Sequence, residues 1–446
     1  MNTPIVDFVK SYAQSNSLRL HMPGHKGSNI LGCEEYDITE IGGADVLYSA
    51  DGIIAESQKN ATELFGTKAT FYSTEGSSLC IRAMLYLTKL YALQNGKKPF
   101  VAAARNAHKT FVTAAALLDI DIDWMLPESV QSMISCVITA DYLDNYLLTT
   151  NEKPVAVYIT SPDYLGAITD VKSLSDVCRK HGVLLLVDNA HGAYLKFLQN
   201  DIHPITQGAD MCCDSAHKTL PVLTGGAYLH VGKNAPELFE SNAQKALSLF
   251  ASTSPSYLIL GSLDMANKYM AEAFCGRLSD FVTKVDDLKT DLMRMGYQPC
   301  GDEPLKITIA AKLYGYTGYE LSKLLLKSKI VCEFADSDYI VFMLTPEIDL
   351  SGLTLLKNAL YGVKPKEQIT DPSPKPTLKP RRLSLHEVLY REKITLNVED
   401  CVGKISASAD AICPPAIPII LPGEEIDLHA VQSLKYYGIK QWTVIK

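Results

Sequence analysis

The sequence predicts an α/β protein with a mostly parallel sheet, and three observations carry that expectation. Short runs apolar on both faces recur along the chain: ATFYS (69–73), PFVAAA (99–104), DIDWML (121–126), PVAVYIT (154–160) and VLLLVD (183–188). Strands buried on both faces read as such runs, and parallel sheets bury both faces. Helix-length segments alternate with them, among them AESQKNATELFG (55–66) and the amphipathic SSLCIRAMLYLTKLYAL (77–93). That alternation is the signature of crossover connections in an α/β architecture. Finally, 446 residues exceed what one core usually holds, so smaller domains should accompany the sheet.

Taken in order, residues 1–50 scatter Gly, Pro and charge (HMPGHKG, IGGADVLYSADG) and read as an N-terminal arm of loops and short turns. Residues 51–265 carry the alternating pattern of the large domain. A long helical stretch near 262–296 and the strand-like LKITIAA and DYIVFMLTP place a smaller α+β domain at 266–363. Five prolines among charges make 364–382 an extended linker, and 383–446 form a C-terminal domain that begins with the helix-like LSLHEVLYREK.

Composition narrows the function. Hydrophobic residues make up 47% and charged residues 21%, an ordinary globular balance, and a net charge of -8 argues against a nucleic-acid partner. Eleven cysteines, an odd number without a CxxC pair, suggest reduced thiols and a cytoplasmic protein. MNTPIVDFVKSYAQ lacks the apolar core of a signal peptide, and no run reaches the ~18 apolar residues of a membrane span, so a soluble protein is expected.

Three His-Lys pairs, at Lys26, Lys109 and Lys218, raise the question of a chemical lysine. Most lysines are solvated surface charges, so the surroundings must decide. Asp188 closes a buried strand, and ligands in α/β sheets collect just beyond carboxyl strand ends. Lys218 follows a second short apolar segment, GADMCCD. Gly76, Ser77 and Ser78 open the long helix at 77–93, where free N–H groups and the helix dipole favour a phosphate. Each feature alone has a plainer reading: a serine N-cap, a turn aspartate, a surface lysine. Together and in this order they meet the needs of pyridoxal phosphate: a lysine to bind the aldehyde, an acid to keep the ring nitrogen protonated, and a cradle for the phosphate. A zinc reading of His21 and His25 finds no further ligand set, so no metal is expected.

LHMPGHKG, DITE, RNAHKT, TSPDYLG, DNAHGAY, DSAHKTLPVLTGGAYL, STSPSYLILGSLD and PPAIPIILPGE follow one another in this chain. In that order they resemble the fold-type I, pyridoxal-phosphate-dependent ornithine/lysine/arginine decarboxylases, in the short form without an N-terminal wing domain. The resemblance implies that Lys218 binds the cofactor covalently and Asp188 pairs with its ring nitrogen. It implies that Gly76, Ser77, Ser78, Ser215 and His217 surround the phosphate, that His108 stacks on the ring, and that His191 lies near the ring or the substrate carboxylate. Ser252 and Thr253 (with Ser254) would reach the phosphate of a neighbouring subunit, which makes a homodimer or a dimer of dimers the expected unit. Lys109 and Lys26 are then not catalytic.

The chain departs from the family pattern where a Glu precedes Tyr-Pro-Pro-Gly-Ile-Pro: Ser408, Cys413 and Ala416 stand at those points. Asn189 stands where Glu or Ser is frequent, and Arg82 sits in the phosphate-site helix. The implied reaction is decarboxylation of a basic amino acid, with arginine, giving agmatine, as first choice and a role in polyamine biosynthesis. Lysine or ornithine decarboxylation, an aminotransferase-like enzyme and a relative impaired in turnover are the alternatives. Lys218 or His217 would return the proton to the α-carbon, and Asp163, Glu333 and Asp336 are candidates for the substrate's distal cation.

Overall fold

The computed structural model of the protein describes residues 1–409 and 416–446. The strands that matter for the site are β1 (Ala69–Ser73), β2 (Phe100–Ala104), β3 (Asp121–Met125), β4 (Ala156–Thr160), β5 (Leu184–Asp188), β6 (Met211–Asp214) and β7 (Ala227–Val231). Every one of the five apolar runs read from the sequence becomes one of them. The chain folds as two compact units, residues 1–97 with 171–278 and residues 98–170 with 279–446.

In the first unit the strand order is β1-β7-β6-β5. β6 runs parallel to β5, with Asp188 opposite Cys213, whereas β7 is antiparallel to both β1 and β6. All five residues of β5 and all five of β7 are buried, as the continuous apolar runs require. Three helices frame these strands: α1 (Pro4–Gln14), α2 (Ile53–Phe65) and α3 (Gly76–Gln94). α3 buries Cys80, Met84 and Leu87 at helical spacing and Leu79, Ile81 and Leu85 on either side of them, so it is covered round most of its circumference. Gly225 makes the approach of the β7 loop to α3 possible: at φ +101° its carbonyl accepts the Gly76 N–H at 2.7 Å, and a Cβ there would lie 2.7 Å from the Thr74 carbonyl.

The N-terminal region differs from its expected form as loops and turns. Pro4–Gln14 is an 11-residue helix that buries Pro4, Ile5 and Val9. Proline at the start is compatible with a helix, because its missing N–H would be unbonded there anyway. The long helical stretch also begins earlier than expected: Tyr257–Tyr269 is followed by a π-helical turn, Met270–Phe274, and by Cys275–Arg294.

In the second unit β4-β2-β3 form parallel pairs. The helix α4 (Lys109–Leu118) follows β2. This unit also holds an antiparallel sheet that contains Lys306–Ala310 and Tyr339–Met343, and a two-stranded ribbon of Lys393–Asn397 with Gln441–Ile445. The ribbon packs with Val398, Ile420, Ile426, Leu434 and Trp442 into a separate small core. Between residues 364 and 380 the chain runs without helix or strand. Among the described residues no helix is long and apolar enough to cross a membrane. The ten described cysteines are all free thiols.

Candidate active site

Two strand ends and one helix start build the site of the first unit. β5 ends on Asp188, which is only 3% exposed; its Oδ1 accepts the Ala190 N–H at 3.2 Å and faces the Cys213 Sγ at 3.7 Å. Burial holds the Cys213 thiol well above its usual pKa, so it is a donor to this carboxylate rather than a rival charge. The chain then turns through Asn189 and Ala190 to His191, also buried.

β6 ends on Asp214 and passes directly into the short helix Ala216–Thr219. That turn carries Ser215, His217 and Lys218. Lys218 Nζ lies 2.8 Å from His191 Nε2, so the chain's candidate chemical lysine and a buried imidazole share one hydrogen bond. His217 Nδ1 lies 3.0 Å from the Gly226 carbonyl, which can only accept, so Nδ1 carries the proton. Burial, with the charge of Lys218 adding to it, holds His217 below its usual pKa, against the opposing bond to Gly226. His217 is therefore neutral near pH 7, with the Nε2 lone pair left over.

The helix start completes the arrangement. The Ser215 hydroxyl donates to Ser77 Oγ at 2.8 Å, which joins the Lys218 turn to the first turn of α3. Gly76, Ser77 and Ser78 are partly exposed there, and Glu75 at the N-cap makes no side-chain cap bond. The Glu75 carboxylate instead accepts the N–H of Ser252 at 2.7 Å, so the exposed Ser252–Thr253 segment lies beside its own chain's α3 start.

An amine, a strand-end carboxylate and a cluster of hydroxyls at a helix N-terminus thus come together in one unit. That donor set matches the three functional groups of pyridoxal phosphate: aldehyde, ring nitrogen and phosphate. The other two His-Lys pairs are different. Lys26 is exposed and bonds the His21 carbonyl; Lys109 opens α4 and gives its backbone N–H to the Ala416 carbonyl at 2.8 Å.

His108 belongs to the second unit, where it caps α4 and its Nδ1 accepts the Thr110 N–H at 3.1 Å. Ser408 is buried, and Cys413 lies outside the described residues. Arg82 lies on α3 beyond its first turn. His25 pairs with Asp37 at 3.2 Å and His21 with the Tyr12 hydroxyl at 2.6 Å. Of the three acids considered for a substrate cation, Asp163 is taken by Ser135 and by the N–H groups of Leu165 and Ala167, and Glu333 accepts the Tyr164 hydroxyl at 3.0 Å. Asp336 borders an apolar cavity with Phe334, Ile417 and Ile419, and burial raises its carboxyl to about 6 despite the Tyr339 and Asp338 N–H bonds.

Sequence reasoning missed a group of side chains behind the site: Asp214, His203 and His230. Asp214 sits inside the DSAHKT motif, but the two histidines lie 11 and 16 positions away with no motif of their own.

The comparisons with known proteins identify a pyridoxal-phosphate-dependent amino acid decarboxylase. The family model described as Orn/Lys/Arg decarboxylase, major domain, matches residues 3–300, and that of the C-terminal domain matches 364–442. The chain belongs to the Orn/Lys/Arg decarboxylase family. It is 28% identical to an arginine decarboxylase of Halalkalibacterium halodurans, over 95% of this chain and 91% of that protein. It is also 28% identical to the arginine decarboxylase of Bacillus subtilis, again over 95% and 91%. Among solved structures, the constitutive lysine decarboxylase of Escherichia coli superposes with a TM-score of 0.78 at 18% identity, covering all of this chain and 82% of that one. A serine palmitoyltransferase solved with pyridoxal phosphate shares the fold more distantly, with a TM-score of 0.56 at 13% identity over 71% of this chain and 79% of that one. The substrate class is accordingly a basic amino acid, and the cofactor is pyridoxal phosphate.

Proposed function

We propose that the substrate is L-arginine and that the products are agmatine and CO2. The relatives named arginine decarboxylase, which align along nearly their whole length, support this choice over lysine or ornithine. The observation that carries the site is the 2.8 Å bond between Lys218 Nζ and His191 Nε2 on the turn after β6.

Pyridoxal phosphate, when bound, supplies the electron sink for the pair left on the α-carbon as CO2 departs. Lys218 would attach the cofactor and, once the substrate amine takes its place, return a proton to the α-carbon; His217, whose only proton faces the Gly226 carbonyl, could accept a proton but not supply this one. His191 orients the Lys218 amine. Asp188, which accepts the Ala190 N–H and faces the Cys213 thiol, would sustain the charge on the ring nitrogen. The hydroxyls of Ser77, Ser78 and Ser215 would hold the phosphate at the helix start beside Gly76, with His217 next to them, and the family resemblance makes His108 the candidate for the ring face. Ser252 and Thr253 serve the neighbouring subunit of a homodimer. The apolar arm supports that assembly: Leu18, Leu20, Met22, Ile30 and Leu31 are 82, 82, 67, 76 and 86% exposed in the single chain. We assign this enzyme to the cytoplasm, supplying an amine for polyamine biosynthesis.

Incubating the protein with arginine, lysine and ornithine in turn, and identifying the amine, tests the substrate. Agmatine with an equal amount of CO2 is expected, and cadaverine or putrescine as the main product would reassign it. Lys218→Ala should abolish both the cofactor's absorbance band and amine formation. Continued CO2 release by that variant would refute the role of Lys218.

A further inference from the structure

Behind the cofactor site, one buried carboxylate gathers three donors. Asp214 Oδ2 lies 2.9 Å from His203 Nε2 and 3.1 Å from His230 Nε2, and Oδ1 accepts the Asn189 Nδ2 at 2.7 Å. All four residues are completely buried.

Hydrogen-bond accounting fixes the proton positions. His203 Nδ1 accepts the Ile205 N–H at 3.4 Å, so the ring proton is on Nε2 and points at Asp214. His230 Nδ1 faces the Thr70 hydroxyl at 2.8 Å, a group able to donate to it. Burial keeps His230 below its usual pKa, with Asp214 opposing. Burial alone would raise Asp214, but the two imidazoles overcome that and hold its carboxyl well below the usual carboxylate range. With N–H groups rather than lone pairs turned inward, the cluster is a hydrogen-bonded hub and not a cation site.

An ionised Asp214 only accepts, so Asn189 must present its Nδ2 to it. Asn189 Oδ1 is left buried without a partner among the described residues, a cost tolerated to keep this link.

The placement of the hub gives it a purpose. Asn189 directly follows Asp188, and its backbone N–H donates to the Cys213 carbonyl at 3.0 Å. Ser215 directly follows Asp214 and reaches Ser77 at 2.8 Å. We propose that Asp214 is a positioning residue for the cofactor: one carboxylate, clamped by β7 through His230, fixes the ring-nitrogen acid Asp188 and the phosphate serine Ser215 relative to one another. The proposal rests on the reading that Asp188 and Ser215 hold the cofactor.

The test uses the full-length chain stripped of cofactor and titrated with pyridoxal phosphate. Kd and the circular dichroism of the cofactor band, per bound cofactor, are read for wild type, Asp214→Asn, Asn189→Ala and Asp188→Ala. Asp214→Asn sets an amide N–H against buried donors. Asn189→Ala removes only the link to β5, leaves both imidazoles on Asp214, and so decides the matter even where Asp214→Asn fails to fold. Both variants are expected to raise Kd by about tenfold or more and to reduce the dichroism, which reports how firmly the ring is oriented. Weakened binding in Asp188→Ala with wild-type values in Asn189→Ala would overturn the hub alone. Weaker binding with unchanged dichroism would also overturn it, because that marks a general loss of stability. Unchanged binding in Asp188→Ala would overturn the site reading and the hub with it.

Discussion

Ala416 has a φ of +58°, a left-handed backbone in which an L side chain crowds the following carbonyl. The position is 2% exposed, and its carbonyl accepts the Lys109 N–H at 2.8 Å, so the conformation is held from both sides. The resembling family pattern carries glycine here, which bears no such penalty. Ala416→Gly should therefore stabilise the protein by about 0.5–1 kcal/mol, the relief of left-handed strain less the entropy a glycine loses on folding. Urea denaturation read by far-UV circular dichroism checks this, and a loss of stability would show that the alanine methyl packs usefully where it is. Lys218 could be singled out in the sequence because each feature announces itself locally: an acid closing one strand, hydroxyls opening one helix, and the motif around the lysine. Asp214 sits in the same motif but was silent, since His230 meets it only once β6 and β7 pair, and His203 precedes β6 with no motif of its own.

Secondary-structure elements divide in the same way. The apolar runs that became β2, β4 and β5 were readable because a strand buried on both faces needs only its own sequence to announce it, while β1 and β3, at the ends of the strand order, are only partly buried. The helix α1 was not, because much of what holds it lies far off: the Ile5 and Val6 N–H groups, which have no partner within the helix, both bond Asp264 Oδ2, at 3.0 and 3.1 Å. Asp264 also takes the Ser57 hydroxyl at 2.6 Å. Burial raises its carboxyl to about 6 against these hydrogen bonds, with the charge of Asp7 adding to the rise. A folded pKa above the unfolded one means that this group's stabilising contribution is complete below about pH 4 and is lost as pH climbs through about 6. Asp264→Asn stays neutral throughout. Wild type should therefore lose stability relative to Asp264→Asn between those two pH values, by on the order of 2 kcal/mol. Denaturant midpoints measured at half-unit steps would reveal it, and a constant difference across the range would mean that Asp264 is already ionised in the fold at acid pH.

For the whole molecule, the proposed homodimer is tested by whose phosphate Ser252 and Thr253 serve. They are exposed in the single chain, unlike Asp188, His191 and Ser215, which suits a segment completed by a second copy. Yet Ser252 bonds Glu75 at 2.7 Å, one residue before the start of its own α3, which suits a segment that serves its own site. Sequence alone could not weigh these, since a motif records order along a chain and not the subunit it faces. Subunit complementation separates them. Co-expressing Lys218→Ala with a Ser252→Ala, Thr253→Ala double variant gives heterodimers in about half the population by random pairing. If the segment crosses to the partner, each heterodimer pairs one intact lysine with the other chain's intact Ser252 and Thr253, and the mixture should regain about a quarter of wild-type activity. If the segment serves its own subunit, each chain of the heterodimer carries its own defect and the mixture shows about half the activity of the double variant alone. Recovery is the expected outcome. It would make the dimer a condition of catalysis, because a folded monomer would hold Lys218 and Asp188 correctly and still lack part of its phosphate site.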